Sequence, residues 1–319
     1  MANTLCKSLM IVLCAVSFVC ASGAALAATS TTGDGDWSGA IWSAGEPDGF
    51  DIATVQHNVT VTQAGELADA IRLDGGTIAL SAGTLTLGGG FNQTHIGYTN
   101  GTGDVVQTGG TWTQDGAGAS LVIGAAGVNG SGTYTISGGT LECINGAVLG
   151  LSFGGGGSPG TLTIEGNGAT INASTFVVGG NTVDSPGILV IRPTANGAAG
   201  LSTINVSTII NLGTGTGDAV LTVDPQYDVQ VGDSWIVATS TSLNGTFATV
   251  NTPAEVEVSV VAARALERGG GSAITVTVTA APAVGMPAMN PWGMALLLGL
   301  LSLAGYVTMR RIGRKRPIA

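Results

Sequence analysis

The residues that could carry out chemistry are few in this sequence, and their spacing does not group them. The 319-residue chain has two histidines, His57 and His95, and neither has a second histidine close to it. A serine or cysteine nucleophile needs a base within hydrogen-bond reach, and the G-x-S-x-G motif is absent. The sequence therefore predicts no catalytic residue, no cofactor and no metal site.

Carboxylate pairs, which many glycosidases use, are not evident either. The segment from Gly76 to Gly187 has no lysine or arginine, and its acids are Asp104, Asp115, Glu142, Glu165 and Asp184. Glu142 and Glu165 do not share a position in the repeat described below, so no row of acids is predicted. A carbohydrate-active enzyme stays as an alternative function, with Glu142 and Glu165 as the residues to test.

Charge is scarce and unevenly placed. Asp and Glu number 20, all between Asp34 and Glu267, whereas five of the ten bases lie at the very end of the chain. With Lys7 also outside it, the body of the chain has four arginines against 20 acids, a net charge of 4 − 20 = −16. Such a body repels nucleic acid, which needs a basic surface. Cys143 is the one cysteine after Cys20, so an intrachain disulfide and a zinc cluster are excluded for the body.

An internal repeat lies between Gly76 and Gly213. One glycine landmark recurs at nearly even intervals, at Gly76, Gly103, Gly132, Gly160 and Gly187. A second landmark ends each copy, as in THIG, LVIG, AVLG, FVVG and IINLG, whose glycines are Gly97, Gly124, Gly150, Gly179 and Gly213. Units of this kind bury their apolar faces by stacking on their neighbours.

Each copy has short β-strand patterns with glycines at the corners. Apolar residues two apart, such as Ile78 and Leu80, point to one face of a strand. The next shared apolar position is held by Leu85, Trp112, Leu141 and Ile171, and His95 occupies a position that valine holds in three other copies. The pattern predicts an all-β protein, a parallel β-helix (β-solenoid) of about 27–29 residues per coil. A β-sandwich or propeller is the alternative, although a propeller blade needs about 40 residues.

The GTLTI, SGGTL and LVIG elements of this repeat resemble the autotransporter- and PEP-CTERM-associated β-strand repeat of bacterial surface proteins. The resemblance covers about residues 76–213. It implies an extracytoplasmic β-solenoid and no enzymatic chemistry.

Residues 1–27 have the pattern of a secretory signal peptide. Lys7 is the positive region, and an apolar core follows it. Ala25 and Ala27 are the two small residues of a small-x-small cleavage motif, Ala25-Leu26-Ala27. A membrane anchor is the alternative, but the apolar run is short.

Residues 28–75 are predicted to form an N-terminal cap. Trp37, Trp42 and Phe50 precede the first repeat, and an open first coil would expose a sheet edge. The acids of this segment could bind calcium or act as solvated turn residues, and the turn role is favoured because their spacing matches no calcium motif: Asp34, Asp36, Glu46, Asp48 and Asp51.

Residues 214–281 are predicted to be a C-terminal β-module that covers the last coil. The segments AVLTV, DVQV, SWIVATS, GTFATV, VEVSVVAA and AITVTVT read as its strands. The segment from Gly232 resembles the terminal segment of the same surface-protein families.

Residues 282–319 are predicted to be a sorting signal with one transmembrane helix. Residues 292–309 carry no charge and, at ~1.5 Å per residue, are just long enough for a helix that spans a bilayer. The basic residues that follow hold the tail in the cytoplasm by the positive-inside rule: Arg310, Arg311, Arg314, Lys315 and Arg316. A eukaryotic GPI-anchor signal is the alternative, but such a signal normally ends in apolar residues.

The tail also resembles a PEP-CTERM sorting signal, most closely the IPTL-CTERM variant. Pro287, Trp292 and Gly293 match that motif, whereas Ala288 and Pro291 depart from it. The resemblance implies an exosortase-type enzyme as partner and an inner-membrane-anchored precursor that then reaches the cell surface or medium.

Together these features favour a non-enzymatic structural or interaction protein of the cell surface or extracellular matrix. Its partners would be exopolysaccharide or other surface proteins. A glycan-binding adhesin is a further alternative. Aromatic platforms would indicate it, yet Trp112, Tyr134, Phe153 and Phe176 occur singly, as core residues do.

Overall fold

The computed structural model describes residues 28–88, 93–99, 101–116, 120–124, 130–144, 146–149, 159–179, 186–213, 218–264 and 271–281. The predicted leader, with Ala25 and Ala27, lies outside these ranges. The predicted sorting motif, transmembrane segment and basic tail lie outside them as well. The described part of the chain contains no helix with the length and hydropathy needed to cross a bilayer.

The described residues form an all-β structure with one short 3₁₀ helix, Gly197–Ala199. The strands, numbered in chain order, are β1 (Ala28–Ser30), β2 (Gly35–Asp36), β3 (Ile52–Val55), β4 (Val59–Val61), β5 (Glu66–Ala68), β6 (Ala70–Leu73), β7 (Thr77–Leu80), β8 (Thr84–Leu87), β9 (Thr94–Ile96), β10 (Thr102–Gln107), β11 (Thr111–Gln114), β12 (Leu121–Ile123), β13 (Ser131–Cys143), β14 (Ala147–Leu149), β15 (Gly160–Val178), β16 (Gly187–Arg192), β17 (Ile204–Leu212), β18 (Ala219–Val223), β19 (Ser234–Ser240), β20 (Ser242–Gly245), β21 (Thr249–Asn251), β22 (Glu257–Arg264) and β23 (Ser272–Ala280).

The strands pair in parallel in three series. The first series is β1, β3, β6, β9, β12, β14 and the ends of β15 and β17, followed by β20. The second is β2, β4, β7, β10, the starts of β13 and β15, then β16, β18 and β21. The third is β5, β8, β11, the end of β13, the middle of β15, the start of β17 and β19. This arrangement is compatible with a parallel β-helix.

The pairing register matches the alignment made on the glycines. Gly103 pairs with Gly132, Gly132 with Gly160, and Gly160 with Gly187. Trp112 lies between Leu85 and Leu141 in the third series. His95 pairs with Val122 in the first. Residues that correspond in the repeat are therefore direct neighbours in the sheets.

Alternation along the strands produces the core. In β7 the pattern is half-buried, buried, half-buried, buried, with Ile78 and Leu80 fully buried and threonine or alanine between. The equivalent inward pairs of the later strands are also fully or almost fully buried: Val105 and Gln107, Tyr134 and Ile136, Leu162 and Ile164, Leu189 and Ile191. Threonine suits the outward positions because it favours an extended backbone and hydrogen-bonds to water.

The parallel pairing crosses both predicted repeat boundaries. Val59 pairs with Ile78 across the boundary at residue 75, and Gly187 pairs with Ala219 across the boundary at residue 213. Paired strands are closer in sequence at the start of this part of the chain. The step from Val59 to its partner Ile78 spans fewer residues than the step from Ile78 to its next partner, Val105. A search for the period of the later repeats therefore does not detect these first pairings.

The outer edge of β1 is covered by the chain itself. Residues 41–43 run antiparallel to β1, where Ser43 N donates to Ser30 O at 2.8 Å and Thr32 N donates to Ile41 O at 2.7 Å. Trp37 and Trp42 are buried edge to face, with ring centroids 5.0 Å apart. Phe50, the third aromatic residue of this segment, is 67% exposed and takes no part in this packing.

The C-terminal strands depart from parallel pairing. β23 pairs antiparallel with β19, and β22 pairs antiparallel with β23. Of the strands predicted here, DVQV (residues 228–231) is wrong, because this segment is a loop. Asp233 Oδ2 accepts hydrogen bonds from Tyr227 Oη and Gln230 N, which holds these residues in a turn.

Candidate functional site

The two histidines lie apart and each has its own surroundings. His57 Nδ1 lies 3.0 Å from Thr31 Oγ1, where it joins β1 to the loop after β3. His95 is 8% exposed and packs against Tyr98, whose ring is 5.4 Å away between centroids. Arg72 is the register partner of His95 and stacks over the Tyr98 ring, with its guanidinium carbon 4.8 Å from the ring centroid. His57 therefore faces a threonine hydroxyl, whereas His95 faces an aromatic ring and a guanidinium.

Burial, and then the positive charge of Arg72, lower the pKa of His95 to about 4. Its Nδ1 has no hydrogen-bond partner among the described residues. We expect His95→Val, which introduces the residue found at Val122 and Val177, to stabilise the protein at acid pH. His95 takes up a proton below pH ~6.5 in the unfolded chain but only near pH 4 in the folded chain. The folded state therefore loses stability relative to the unfolded state as the pH falls through this range.

The variant should therefore gain about 2 kcal/mol over the wild type between pH 8 and pH 5. The measurement is urea unfolding of both proteins across this pH range, followed by circular dichroism. A stability difference that stays constant with pH would contradict the assignment to His95.

The two candidate carboxylates of the repeat lie in different series. Glu142 pairs with Asn172 in the third series, whereas Glu165 pairs with Arg192 in the second. Arg192 Nε forms an ion pair with Asp224 Oδ2 at 3.1 Å. The structure therefore does not bring Glu142 and Glu165 together.

The acids of the N-terminal segment accept hydrogen bonds from backbone amides and hydroxyl groups. Asp34 Oδ1 accepts from Asn58 N at 2.8 Å, and Asp36 Oδ1 accepts from the hydroxyls of Thr60 and Thr62. Asp48 Oδ1 accepts from the backbone of Phe50, and Asp51 Oδ2 from that of Asp48. Among the described residues no three metal-ligating side chains come together.

Glu66 is the most perturbed acid of this part. It is 5% exposed, and burial, together with its hydrogen bond to Glu46 and the negative charges of Glu46 and Asp36, raises its pKa to about 7. A carboxyl group with this pKa is partly protonated at neutral pH. It can therefore share a proton with Glu46.

A groove of about 500 Å³ opens on the outer surface of the third series, where β13, β15 and β17 turn toward the first series. Two rows of outward polar side chains line it along the direction in which the strands stack. One row is Glu142, Asn172, Asn205 and Thr239, and the other includes Ser174 and Ser207. Its volume falls within the usual range for ligand sites.

The register explains why these side chains form rows. Glu142 pairs with Asn172, Asn172 with Asn205, and Asn205 with Thr239, so each pair is one strand spacing apart. The register shifts between Ala173 and Thr175, because β17 has an extra residue at this point. Such bulges often lie beside functional sites and redirect side chains.

Hydrogen bonds fix part of the groove and leave the rest open. Asn205 Nδ2 donates to Asn172 Oδ1 at 3.3 Å, and the hydroxyl of Thr208 donates to Ser174 O. Asn172 Nδ2, Asn205 Oδ1, the Glu142 carboxylate and the hydroxyls of Ser174 and Ser207 make no hydrogen bond within the part of the chain that the structure describes. These groups face solvent at the groove.

Cys143 lies behind this surface and does not supply a nucleophile. Its side chain is buried, and burial followed by the nearby Glu142 charge raises its pKa to about 12. The thiol therefore stays protonated at neutral pH, and only a thiolate is a good nucleophile.

The sequence carries a signal for the groove that the repeat search does not use. The tetrads Asn172-Ala-Ser-Thr and Asn205-Val-Ser-Thr have the same pattern. They lie farther apart than two successive glycine landmarks, such as Gly160 and Gly187, so an alignment on glycines separates them. Their pairing in the third series makes them neighbours.

No protein-family model matches this sequence, and no curated protein matches it closely enough to count as a relative.

Proposed function

We propose that this protein is a non-enzymatic structural or interaction protein, exported to the cell surface or extracellular matrix, and that its body is a parallel β-helix. One observation carries the proposal: the strands pair in three parallel series, which run from β1 to β20, from β2 to β21 and from β5 to β19, with apolar residues inside and small polar residues outside. A stack of this kind forms an elongated surface rather than a closed active-site cleft.

The outer surface supports a role in contact rather than in catalysis. Threonine, serine and asparagine dominate it, and charged residues are 9% of the chain. Several of the described acids accept hydrogen bonds from hydroxyl or backbone groups of an adjacent strand, as Asp36 does from Thr60 and Asp104 from Thr133. These contacts join layers to one another.

The termini supply the route to the surface in this proposal. The signal peptide would be cleaved after Ala27, and an exosortase-type enzyme would act at the motif with Pro287, Trp292 and Gly293. The precursor would be held in the inner membrane by residues 292–309 and by the basic tail. Exopolysaccharide or other surface proteins would be the partners of the exported body.

The test is the intact mass of the protein purified from its native cell envelope and medium. Loss of residues 1–27, together with a cut between Met286 and Gly293, is the expected result. A species that still carries Arg310 to Ala319 would instead make it a single-span membrane protein.

The groove beside Glu142 gives the enzymatic alternative a specific form. A carbohydrate-active enzyme would release shorter saccharides from a polysaccharide, and Glu142→Gln would abolish that release. Chromatography of the products after incubation decides this point, and reproducible Glu142-dependent turnover would overturn the non-enzymatic proposal.

A further inference from the structure

We infer that the groove lined by Glu142, Asn172, Asn205, Thr239, Ser174 and Ser207 binds an oligosaccharide that is uncharged or carries amino groups. This inference rests on the proposed function of the chain as an interaction protein and names the ligand class of one site. Four aspects of the groove support it: its unused hydrogen-bonding groups, its length, its backbone and its charge.

The groove presents both donors and acceptors that the described protein does not use. Asn172 Nδ2 is a free donor, Asn205 Oδ1 is a free acceptor, and the hydroxyls of Ser174 and Ser207 can act as either. Sugar hydroxyls also donate and accept at once. The fixed amide pair, held by the bond between Asn205 and Asn172, orients these groups before a ligand arrives.

The groove suits an extended ligand. Its first row passes through four successive strands, from Glu142 to Thr239. With neighbouring strands ~4.8 Å apart, three steps span about 14 Å. Polar groups repeat along this length, so a chain of similar units can make the same contact more than once.

A peptide is disfavoured because the groove has no free strand edge among the described strands. Asn172 and Asn205 pair with each other and with the strands on either side. At the register shift, Ser174 O and Thr208 O accept from the hydroxyls of Thr208 and Thr241. A peptide that binds by strand addition needs such an edge, with pockets for alternate side chains. Ile144, at 50% exposure, is the one large exposed apolar side chain among the described lining residues.

Charge selects among saccharides. Of the described residues that line the groove, Glu142 alone is charged. An anionic sugar would meet this carboxylate with no cation to compensate it, whereas a protonated amine would pair with it. Neutral sugars need only the amides and hydroxyls.

The test compares two double variants of the protein, as purified from the cell envelope, by isothermal titration calorimetry. The probes are N-acetylated chito-oligosaccharides, their deacetylated form and oligogalacturonate. Asn172→Ala with Asn205→Ala should weaken binding of the first two probes by about tenfold or more, which is the loss expected for removal of one or two hydrogen bonds.

The matched control is Asn211→Ala with Asn244→Ala. These residues form the same amide pair, with Asn244 Nδ2 3.3 Å from Asn211 Oδ1, but in the first series and outside the groove. The control should bind as the wild type does. Equal loss in both double variants, or no binding of either the acetylated or the deacetylated probe by the folded wild type, would overturn the inference.

Glu142→Gln separates the charge argument from the shape argument. It should weaken binding of the deacetylated probe, leave the acetylated probe unchanged and permit oligogalacturonate to bind. Preference of the wild type for oligogalacturonate would contradict the inference. If the protein is not exported and processed, the intact mass shows it. If the groove does not bind saccharides, this titration shows it, so the two outcomes are distinguishable.

Discussion

Replacement of Trp112 by alanine is expected to lower the free energy of unfolding by about 3–5 kcal/mol. Trp112 is fully buried and lies between Leu85 and Leu141 in the third series. Its ring meets that of Tyr134 edge to face, with 5.6 Å between centroids. Alanine would leave a cavity in the core, and partial collapse of the neighbours would not fill it.

The cavity would also adjoin a buried polar network. Tyr134 Oη donates to Gln107 Oε1 at 2.6 Å, and Gln107 Nε2 donates to Thr140 O at 2.9 Å. Loss of the indole removes a wall of this network, whose groups would be costly to leave unpaired. The expected effect is therefore at the upper end of the range.

Trp112→Leu is the control for this prediction. Leucine is the residue on both sides of Trp112 in its row, and it removes the indole Nε1, which has no partner among the described residues. We expect a clearly smaller loss than for alanine, measured by urea unfolding followed by circular dichroism. Equal losses for the two variants would show that cavity volume is not the cause.

Gly97→Ala is expected to cost more than about 3 kcal/mol, which is large for a single substitution. Gly97 has φ of +80°, and a Cβ atom there would lie 2.2 Å from the carbonyl oxygen of Ser131 in the next layer. The left-handed conformation alone costs a side chain about 1–3 kcal/mol. The clash adds to this, because parallel pairing fixes the spacing between the layers.

Gly65→Ala separates strain from clash. Gly65 has φ of +91°, but a Cβ atom there would meet nothing within 4 Å. Its replacement should cost only the conformational strain, and the same unfolding measurement on both variants gives the difference. A Gly65 variant as unstable as the Gly97 variant would remove the case for a clash between layers.

The glycine landmarks show what the sequence alone could predict. Gly97, Gly124 and Gly179 share φ values of 80°, 82° and 80°, so the recurrence of glycine reflects a corner that other residues avoid. The period, the strand faces and the buried rows follow from the same pattern. A short repeat with strong alternation leaves few other ways to bury its apolar residues.

Other parts were beyond prediction for identifiable physical reasons. The first paired strands are separated by fewer residues than the later ones. The antiparallel pairing of β22 and β23 depends on tertiary packing. The loop at residues 228–231 is held by the side chain of Asp233. The groove depends on which outward residues become neighbours. Asn172 and Asn205 are neighbours although they lie farther apart in the sequence than two successive glycine landmarks do. The glycine pattern therefore does not predict that they pair.

The residue-for-residue pairing of successive copies has a consequence for how the length of this protein can change in evolution. Each copy of the repeat contacts its equivalents before and after it through identical positions, as Gly132 does with Gly103 and Gly160. Duplication of one whole copy would add a layer of ~4.8 Å without disturbing either end, because the new strands would find the same partners. An insertion within a strand would shift the residues that follow it out of their rows unless a bulge absorbed it, as the register shift between Ala173 and Thr175 does. Gene duplication can therefore lengthen this body one repeat at a time, while the first and last strands keep their present partners.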